Sequence, residues 1–207
     1  MTETTVVHLL ALVGSVTYMA QAVPAAVRLL RTKDVGGVSG PSLEVLLISS
    51  VWWLAYSIEI GNIPSTVSSA VGLVGTVIAV VTLARLGGLG SRAPLAIAAG
   101  LGLMLLVWHE PMVVGAVAAA TGALYSIPQA VRLHRRLDES VEGVSLGAWV
   151  LTGINGATWL VYGILIGHPI LGAAGLISVP VSLWICTTIV RRRRAEASGP
   201  GLPALDA

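Results

Sequence analysis

The chain has 207 residues, of which 55% are hydrophobic and only 11% are charged, and its mean hydropathy is +0.87. Because soluble domains carry about 25% charged residues, the composition predicts a polytopic membrane protein. The basic residues lie in short gaps between apolar runs, which excludes the basic face of a soluble nucleic-acid-binding domain. The single cysteine, Cys186, excludes an intrachain disulfide and a cysteine-cluster metal site.

Seven apolar stretches approach the length of about 20 residues that a helix needs to cross the hydrocarbon core. In chain order they are residues 6–29, 41–60, 63–86, 93–108, 112–134, 146–166 and 169–190. The first is expected to be retained as a span, because no basic segment precedes it as in a signal peptide. The tail from 195 to 207 is rich in proline, glycine and alanine, and is predicted to be disordered. Glycine and alanine are abundant and phenylalanine is absent, so helix contacts are expected to use small residues.

Every lysine and arginine falls in the last turn of, or after, the first, third, fifth or seventh span. The opposite gaps contain Glu3, Glu59, Glu110 and His168 but no lysine or arginine. By the positive-inside rule, the N-terminus is expected outside and the C-terminus in the cytoplasm of a plasma (inner) membrane protein.

One sequence pattern occurs twice. Residues 26–31 read AVRLLR and residues 130–135 read AVRLHR, each two residues after a proline and each followed by a loop that ends in Gly-Val-Ser. Both copies place this basic loop on the same face, so they are parallel and one further span must separate them. The predicted fold is all-α, with seven transmembrane helices in a 3+1+3 order: one repeat over 1–90, a linker helix over 91–110 and a second repeat over 111–194.

Two polar–tryptophan pairs recur in the second helix of each repeat. Ser49 precedes Trp53 by four residues, as Asn155 precedes Trp159, so each pair lies on one helix face near the middle of its span. Two indoles with a hydroxyl and an amide suit a ring-shaped polyol. The alternative is that Asn155 anchors neighbouring helices by hydrogen bonds and that the tryptophans fill the core.

Prolines recur in the first helix of each repeat at Pro24 and Pro128. A proline removes one helical hydrogen bond and lets the helix bend, so these positions are candidate hinges, with a static kink as the alternative. Gln129 follows Pro128, Gln21 lies one turn before Pro24, and Pro41 opens the second span. All five are candidate gating residues.

The repeated pattern resembles the SWEET / MtN3 / PQ-loop repeat family of membrane transporters. The residues that carry the resemblance are the Pro128-Gln129 pair, the Gly-Val-Ser loop ends, and the stretches 53–61 (WLAYSIEIG) and 159–167 (WLVYGILIG). The resemblance covers roughly residues 6–190. It implies a 3+1+3 layout, an uncoupled sugar facilitator, hinge prolines, and a central pocket lined by tryptophans and asparagines.

One departure from the family pattern concerns the third helix of each repeat. Sugar carriers of that family typically place an asparagine about five residues after the proline that opens this helix. The corresponding positions here are Ser69 and Ala174. Two amides are therefore missing from the implied pocket, to which Ser69 contributes a hydroxyl instead, and the cargo stays open among the neutral solutes.

The sequence thus predicts a facilitator that moves a small neutral polar solute, with a mono- or disaccharide as the preferred cargo, by alternating access. One alternative is a proton-coupled amino-acid carrier, for which Glu44 is the candidate coupling residue. Another is a PQ-loop membrane receptor that transports nothing. No nucleophile–base pair, phosphate loop or metal-ligand spacing occurs, so neither an enzyme nor a cofactor is predicted. The expected partners are the solute and the lipid bilayer, with a homo-oligomer possible and no nucleic acid.

Overall fold

A computed structural model describes residues 3–33, 40–89, 93–107, 109–135 and 144–197. Most of these residues are helical and none of them is in a strand. The helices are α1 (Glu3–Thr32), α2 (Gly40–Glu59), α3 (Ile63–Arg85), α4 (Ala93–Val107), α5 (Pro111–Leu124), α6 (Ile127–Arg135), α7 (Leu146–Leu165), α8 (Ile170–Ala173) and α9 (Gly175–Ala197). The all-α prediction is confirmed. The loop motif at 37–39, Gly143 and the tail from 198 lie outside the described residues.

These helices trace seven spans, because α5 and α6 share one and α8 and α9 share another. Their ends agree with the predicted spans to within three residues, except at the end of α9. Residues 195–197, predicted as part of a disordered tail, are helical. Arginine and alanine are good helix formers, and basic residues stabilise a helix C-terminus, so α9 continues past the membrane.

Four stretches are long and apolar enough to cross a membrane on their own: Thr4–Gln21, Ile63–Arg85, Leu146–Leu165 and Ile170–Arg194. The other spans are α2, α4 and the pair α5–α6. Helix α4 has 15 residues and is about 22 Å long, so it depends on its neighbours. Its anchor is Trp52, which is 1% exposed and whose indole Nε1 donates a hydrogen bond of 3.2 Å to the carbonyl oxygen of Gly100.

Each repeat has its third helix packed against the other two. Helix α3 contacts α1 and α2, while α8 and α9 together contact α5, α6 and α7. The repeats meet through α1 against α7 and through α2 against α5. The two contacts are equivalent: the first helix of each repeat packs against the second helix of the other repeat, as expected of a parallel duplication.

The prolines of the two repeats have different local structures. Helix α1 continues through Pro24, whereas the corresponding span of the second repeat is interrupted at Tyr125 and Ser126, just before Pro128. Since Pro128 has no N–H to donate to the carbonyl one turn earlier, a turn is favoured there. Pro41 lies in the first turn of α2, where a missing N–H costs little.

The apolar side chains of the described residues form three clusters. We call the side that carries the arginines and Lys33 the basic side. Away from it, both repeats contribute to one shared core of Ala11, Trp52, Ala55, Tyr56, Val114, Ala118, Tyr162 and Leu171. Near the basic side the clusters are separate: Leu29, Ala79 and Leu83 belong to the first repeat, and Leu133, Trp149, Ile185 and Ile189 to the second. The repeats thus share one apolar core at one end and have separate apolar cores at the other.

Small residues set the closest helix contacts, as the composition predicted. A Cβ atom on Gly172 would lie 2.2 Å from Cα of Leu160 and 2.7 Å from the carbonyl oxygen of Trp159. One on Gly175 would lie 2.4 Å from the carbonyl oxygen of Gly156. Since these neighbours are backbone atoms, the contact of α7 with α8 and α9 requires glycine.

We expect Gly172→Ala to lower the free energy of unfolding by about 1–3 kcal/mol, because the added methyl group must push two backbones apart. Thermal unfolding of the detergent-solubilised chain measures this effect. Gly102→Ala in α4 is the matched control, since a Cβ there meets no atom within 4 Å. Equal unfolding midpoints for the two variants would show that this contact is not close.

Candidate functional site

A cavity of about 230 Å³ lies between the two repeats. Its wall is built from α1, α2 and α3 of the first repeat and from α5, α7 and α9 of the second, with Leu171 of α8 and the turn residues Tyr125 and Ser126. Along α2 it extends from Trp53 back to Leu43, near the basic end of that helix. The cavity therefore lies between the repeats and extends from the tryptophans towards the basic side.

All five residues predicted to bind the solute line this cavity: Ser49, Trp53, Ser69, Asn155 and Trp159. The two serines are buried, and the tryptophans and Asn155 are half-buried. Of the predicted gating residues, Gln21 lines the same wall. The side chains of Pro24, Pro128 and Gln129 lie outside the described part of the structure.

The two indoles are held in equivalent ways. Trp53 packs edge-on against Tyr56, with ring centroids 6.1 Å apart and an interplanar angle of 67°. Trp159 packs against Tyr162 at 5.3 Å and 89°. Edge-to-face geometry is favourable for aromatic pairs, and both tyrosines belong to the shared core. Each indole is therefore fixed from the side away from the basic residues.

Each indole also lies over a glycine of the opposite repeat. A Cβ on Gly14 would lie 2.9 Å from Cε2 of Trp159, and one on Gly122 would lie 3.1 Å from Nε1 of Trp53. The first helix of each repeat thus makes room for the tryptophan of the other. Sequence reasoning found the tryptophans but missed these glycines, which do not occupy matched positions of the repeat.

Asn155 lines the cavity and also anchors a neighbouring helix. Its Nδ2 donates to the carbonyl oxygen of Gly14 at 2.8 Å and to Oγ1 of Thr17 at 3.1 Å, both on α1. Asn155 therefore forms interhelical hydrogen bonds, as the anchoring alternative expects, and it also lies on the cavity wall. Ser49, its counterpart in the first repeat, forms no hydrogen bond to another described residue.

Gln21 forms a second link between α1 and α7. Its Nε2 donates to the carbonyl oxygen of Leu151 at 3.2 Å, and its Oε1 accepts from Oγ1 of Thr152 at 2.8 Å. Thr152 lines the cavity and was not predicted. It lies three residues before Asn155 and hence on the same helix face. This spacing is the sequence signal that could have identified Thr152 as a lining residue.

Helix α3 presents a row of hydroxyl groups to the cavity. Ser65, Ser68, Ser69 and Thr76 line it, and only Ser69 was predicted. Ser65 shares a 2.6 Å hydrogen bond with Ser57, Ser68 donates to Ser15 at 2.6 Å, and Thr76 donates to the carbonyl oxygen of Gly72 at 2.8 Å. The sequence shows that these hydroxyl residues recur at helical spacing. It does not show which of them already have hydrogen-bond partners in the folded chain.

Several polar groups on the wall have no hydrogen-bond partner among the described residues. They include the hydroxyls of Ser49, Ser69, Tyr125 and Ser178, the indole N–H groups of Trp53 and Trp159, and Oδ1 of Asn155. No described charged side chain or histidine lines the cavity, and Glu44 is not among the lining residues. The described residues also contain no group of three or more His, Cys, Asp or Glu that could hold a metal ion. The cavity is thus neutral and supplies hydrogen bonds and aromatic faces.

The end of the cavity away from the basic side is closed by a contact between the repeats. Nδ2 of Asn62, at the start of α3, donates to the hydroxyl oxygen of Tyr162 at 2.9 Å. Oδ1 of the same amide caps α3 by accepting from the backbone N–H of Ser65 at 3.0 Å. This bond lies beyond the tryptophans, beside the shared core.

Because Asn155 donates two interhelical hydrogen bonds and Ser49 none, Asn155→Ala and Ser49→Ala should differ in stability. We expect Asn155→Ala to lower the free energy of unfolding by about 1 kcal/mol, and Ser49→Ala to leave it close to the parent value. Thermal unfolding without solute measures both. Equal stabilities would contradict the anchoring role of Asn155.

Comparison with known proteins gives a match in structure but not in sequence. No protein-family model matches the chain, and no curated protein sequence does. A solved structure of a eukaryotic SWEET transporter superposes with a TM-score of 0.74 at 15% sequence identity, covering 93% of this chain and 99% of that one. The resemblance inferred from the repeats is thereby confirmed at the level of the fold, which is the seven-helix fold of that transporter.

Proposed function

We propose that the chain is a membrane transporter that moves a small neutral polar solute down its concentration gradient by alternating access. The observation that carries the proposal is the uncharged cavity between the repeats, with two indoles and several unpartnered hydroxyl groups on its wall. The fold shared with a SWEET transporter supports transport as the activity.

A monosaccharide is the preferred cargo. Aromatic faces stack against the C–H faces of a sugar ring, and hydroxyl groups match its alternating donors and acceptors. A volume of about 230 Å³ is below the roughly 300 Å³ at which pockets for drug-sized ligands begin. This favours a monosaccharide over a disaccharide.

The neutral wall argues against the amino-acid carrier. The carboxylate and ammonium groups of an amino acid would lose their hydration in the cavity and would find no opposite charge among the described residues of its wall. The free energy of this desolvation is unfavourable. Glu44, the candidate coupling residue, is not one of the lining residues. The facilitator is therefore the better supported of the two transport mechanisms.

The distribution of apolar clusters supports a rocking motion of the repeats. The two clusters near the basic side each lie within one repeat, so each repeat can move as a unit there. The reverse state requires the shared core to part at the Asn62–Tyr162 hydrogen bond and the basic ends to approach. We propose Pro24, Pro41 and Pro128 as the hinge positions and Gln21 and Gln129 as gating residues.

The orientation and the domain bounds belong to the same proposal. The N-terminus lies outside, the basic side faces the cytoplasm, and the membrane is the plasma (inner) membrane. The repeats occupy 1–90 and 111–194, with the linker helix between them over 91–110. In this orientation the cavity extends towards the cytoplasm, and the shared core closes it from outside.

Uptake of labelled solutes into proteoliposomes tests the function. We expect saturable uptake of one or more monosaccharides. We expect Trp159→Ala to reduce the initial rate of uptake about tenfold or more, because an indole covered by the solute contributes about 1.5–3 kcal/mol of binding free energy. Trp159→Phe should be intermediate. The control is Ile154→Ala, one residue before Asn155 and 44% exposed on the outer surface of α7.

Two other outcomes identify the alternatives. Uptake that follows an imposed pH gradient and is lost in Glu44→Gln would indicate a proton-coupled carrier. No uptake from a panel of sugars, polyols and neutral amino acids would favour a receptor.

Joining the repeats at the closed end should arrest transport. In a Cys186→Ser background, we expect a cleavable bifunctional thiol reagent, long enough to span the gap left by the shorter side chains, to bridge Asn62→Cys and Tyr162→Cys. The two positions face each other, because Nδ2 of Asn62 and the hydroxyl oxygen of Tyr162 are 2.9 Å apart. Uptake should fall to the level of empty liposomes and recover when the bridge is cleaved. Each single-cysteine variant with the same reagent is the control. Undiminished uptake in the bridged protein would contradict opening at this end.

A further inference from the structure

A groove of about 530 Å³ runs along the outer surface of the second repeat between α6 and α9. It has no connection with the proposed transport cavity, since the two share no lining residue. Its walls are apolar except at one end. The residues that line it are Ala130, Val131, His134, Arg135, Pro180, Val181 and Trp184.

Two matching helix faces form this groove. Ala130, Val131 and His134 lie on one face of α6, and Pro180, Val181 and Trp184 lie on one face of α9. The rings of His134 and Trp184 are 6.5 Å apart at an angle of 52°. Val131 and Trp184 are each 40% exposed, so the groove opens outward to the surroundings of the bundle.

The floor of the groove is rigid because a core cluster lies behind it. Leu133, Ile185 and Ile189 are buried between the same two helices, and Ala130 and Val181 pack against that cluster. Arg192 of α9 also donates a hydrogen bond to the carbonyl oxygen of Leu133 on α6. The concavity is therefore held open by packing on its inner side.

The groove, together with the stretch of α9 from Trp184 to Arg191 that continues it, has the length of one bilayer leaflet. Pro180 lies eleven residues before Arg191 on α9, which is about 16 Å along the helix. Half of the hydrocarbon core is about 15 Å thick. An acyl chain lying in the groove and along this stretch of α9 would reach from the level of Arg191 to the middle of the bilayer.

Positive charge is concentrated at the end of the groove on the basic side. Arg135 lines that end, and Arg191 follows Trp184 by two turns on the same face of α9. Both side chains are exposed. Basic pockets between transmembrane helices attract anionic lipid head groups, and the guanidinium group matches a phosphate by paired hydrogen bonds.

We infer that this groove binds an anionic phospholipid of the leaflet on the basic side. One acyl chain lies between α6 and α9 against Val131, Pro180 and Trp184, and the phosphate group contacts Arg135 and Arg191. This site requires only that the chain spans a membrane. It would remain if the transported solute or the transport mechanism proved to be different.

Native mass spectrometry of the full chain, titrated with phosphatidylglycerol or phosphatidylcholine, tests the head-group contact. We expect phosphatidylglycerol to bind more tightly, and we expect Arg135→Gln and Arg191→Gln to weaken it about fivefold each without changing phosphatidylcholine binding. Arg85→Gln is the matched control, since Arg85 is an exposed basic residue at the end of α3, on the other repeat. Equal binding of the two lipids, or an equal loss in Arg85→Gln, would overturn the proposal.

A groove-filling substitution tests the acyl-chain contact. Val131→Trp adds its bulk outward into the groove, so the fold should be kept while the tight phosphatidylglycerol site is lost. Leu183→Trp is the control, because Leu183 is 62% exposed on α9 outside the groove. Unchanged lipid binding in Val131→Trp would refute the site. Conversion of an oligomer to a monomer by this variant would instead assign the groove to a second copy of the chain.

Discussion

The packing of both repeats into one apolar core, at the ends of the helices remote from the arginines, is the constraint on which the rest of this structure depends. Tyr56 and Tyr162 belong to that core, and each fixes the indole that precedes it. Since the basic ends have separate cores, no shared apolar core of described residues fills the space between the repeats on the basic side of the tryptophans. The cavity is therefore a consequence of where the two halves pack together and where they do not.

Polar groups at bilayer depth are costly unless they are paired, and most of those around the cavity are paired with a neighbouring helix. Asn155 and Gln21 join α1 to α7, and the hydroxyls of Ser65 and Ser68 bond to other serines. A few polar groups on the cavity wall have no hydrogen-bond partner among the described residues. They form a small neutral surface to which a solute could hydrogen-bond. The stability of the bundle and its proposed capacity to bind a solute thus come from the same residue types.

Much of this arrangement was predictable from the sequence. Hydropathy and charge located the spans, and the duplication predicted that Trp53 and Trp159 face one space, because matched positions of parallel repeats face a common axis. The interruption at Tyr125 and Ser126 was not predicted, since Pro24 and Pro128 give the same local signal although α1 is continuous through Pro24. Nor could spacing alone show that Gly14 accepts from Asn155. Hydrogen-bond partners 141 positions apart depend on packing that only the folded chain defines.

Duplication makes the scaffold symmetric, but the hydrogen bonding departs from that symmetry. The Nδ2 group of Asn155 is occupied by α1, whereas the hydroxyl at the matched Ser49 has no partner among the described residues. Replacing Ser49 changes only what the cavity offers to a solute, while replacing Asn155 also changes how the repeats are held together. Under the proposed transport function, selectivity can thus vary at low cost on the side of the first repeat. The second repeat is constrained by its structural role, so the proposal places the asymmetry that distinguishes one solute from another on α2 and α3.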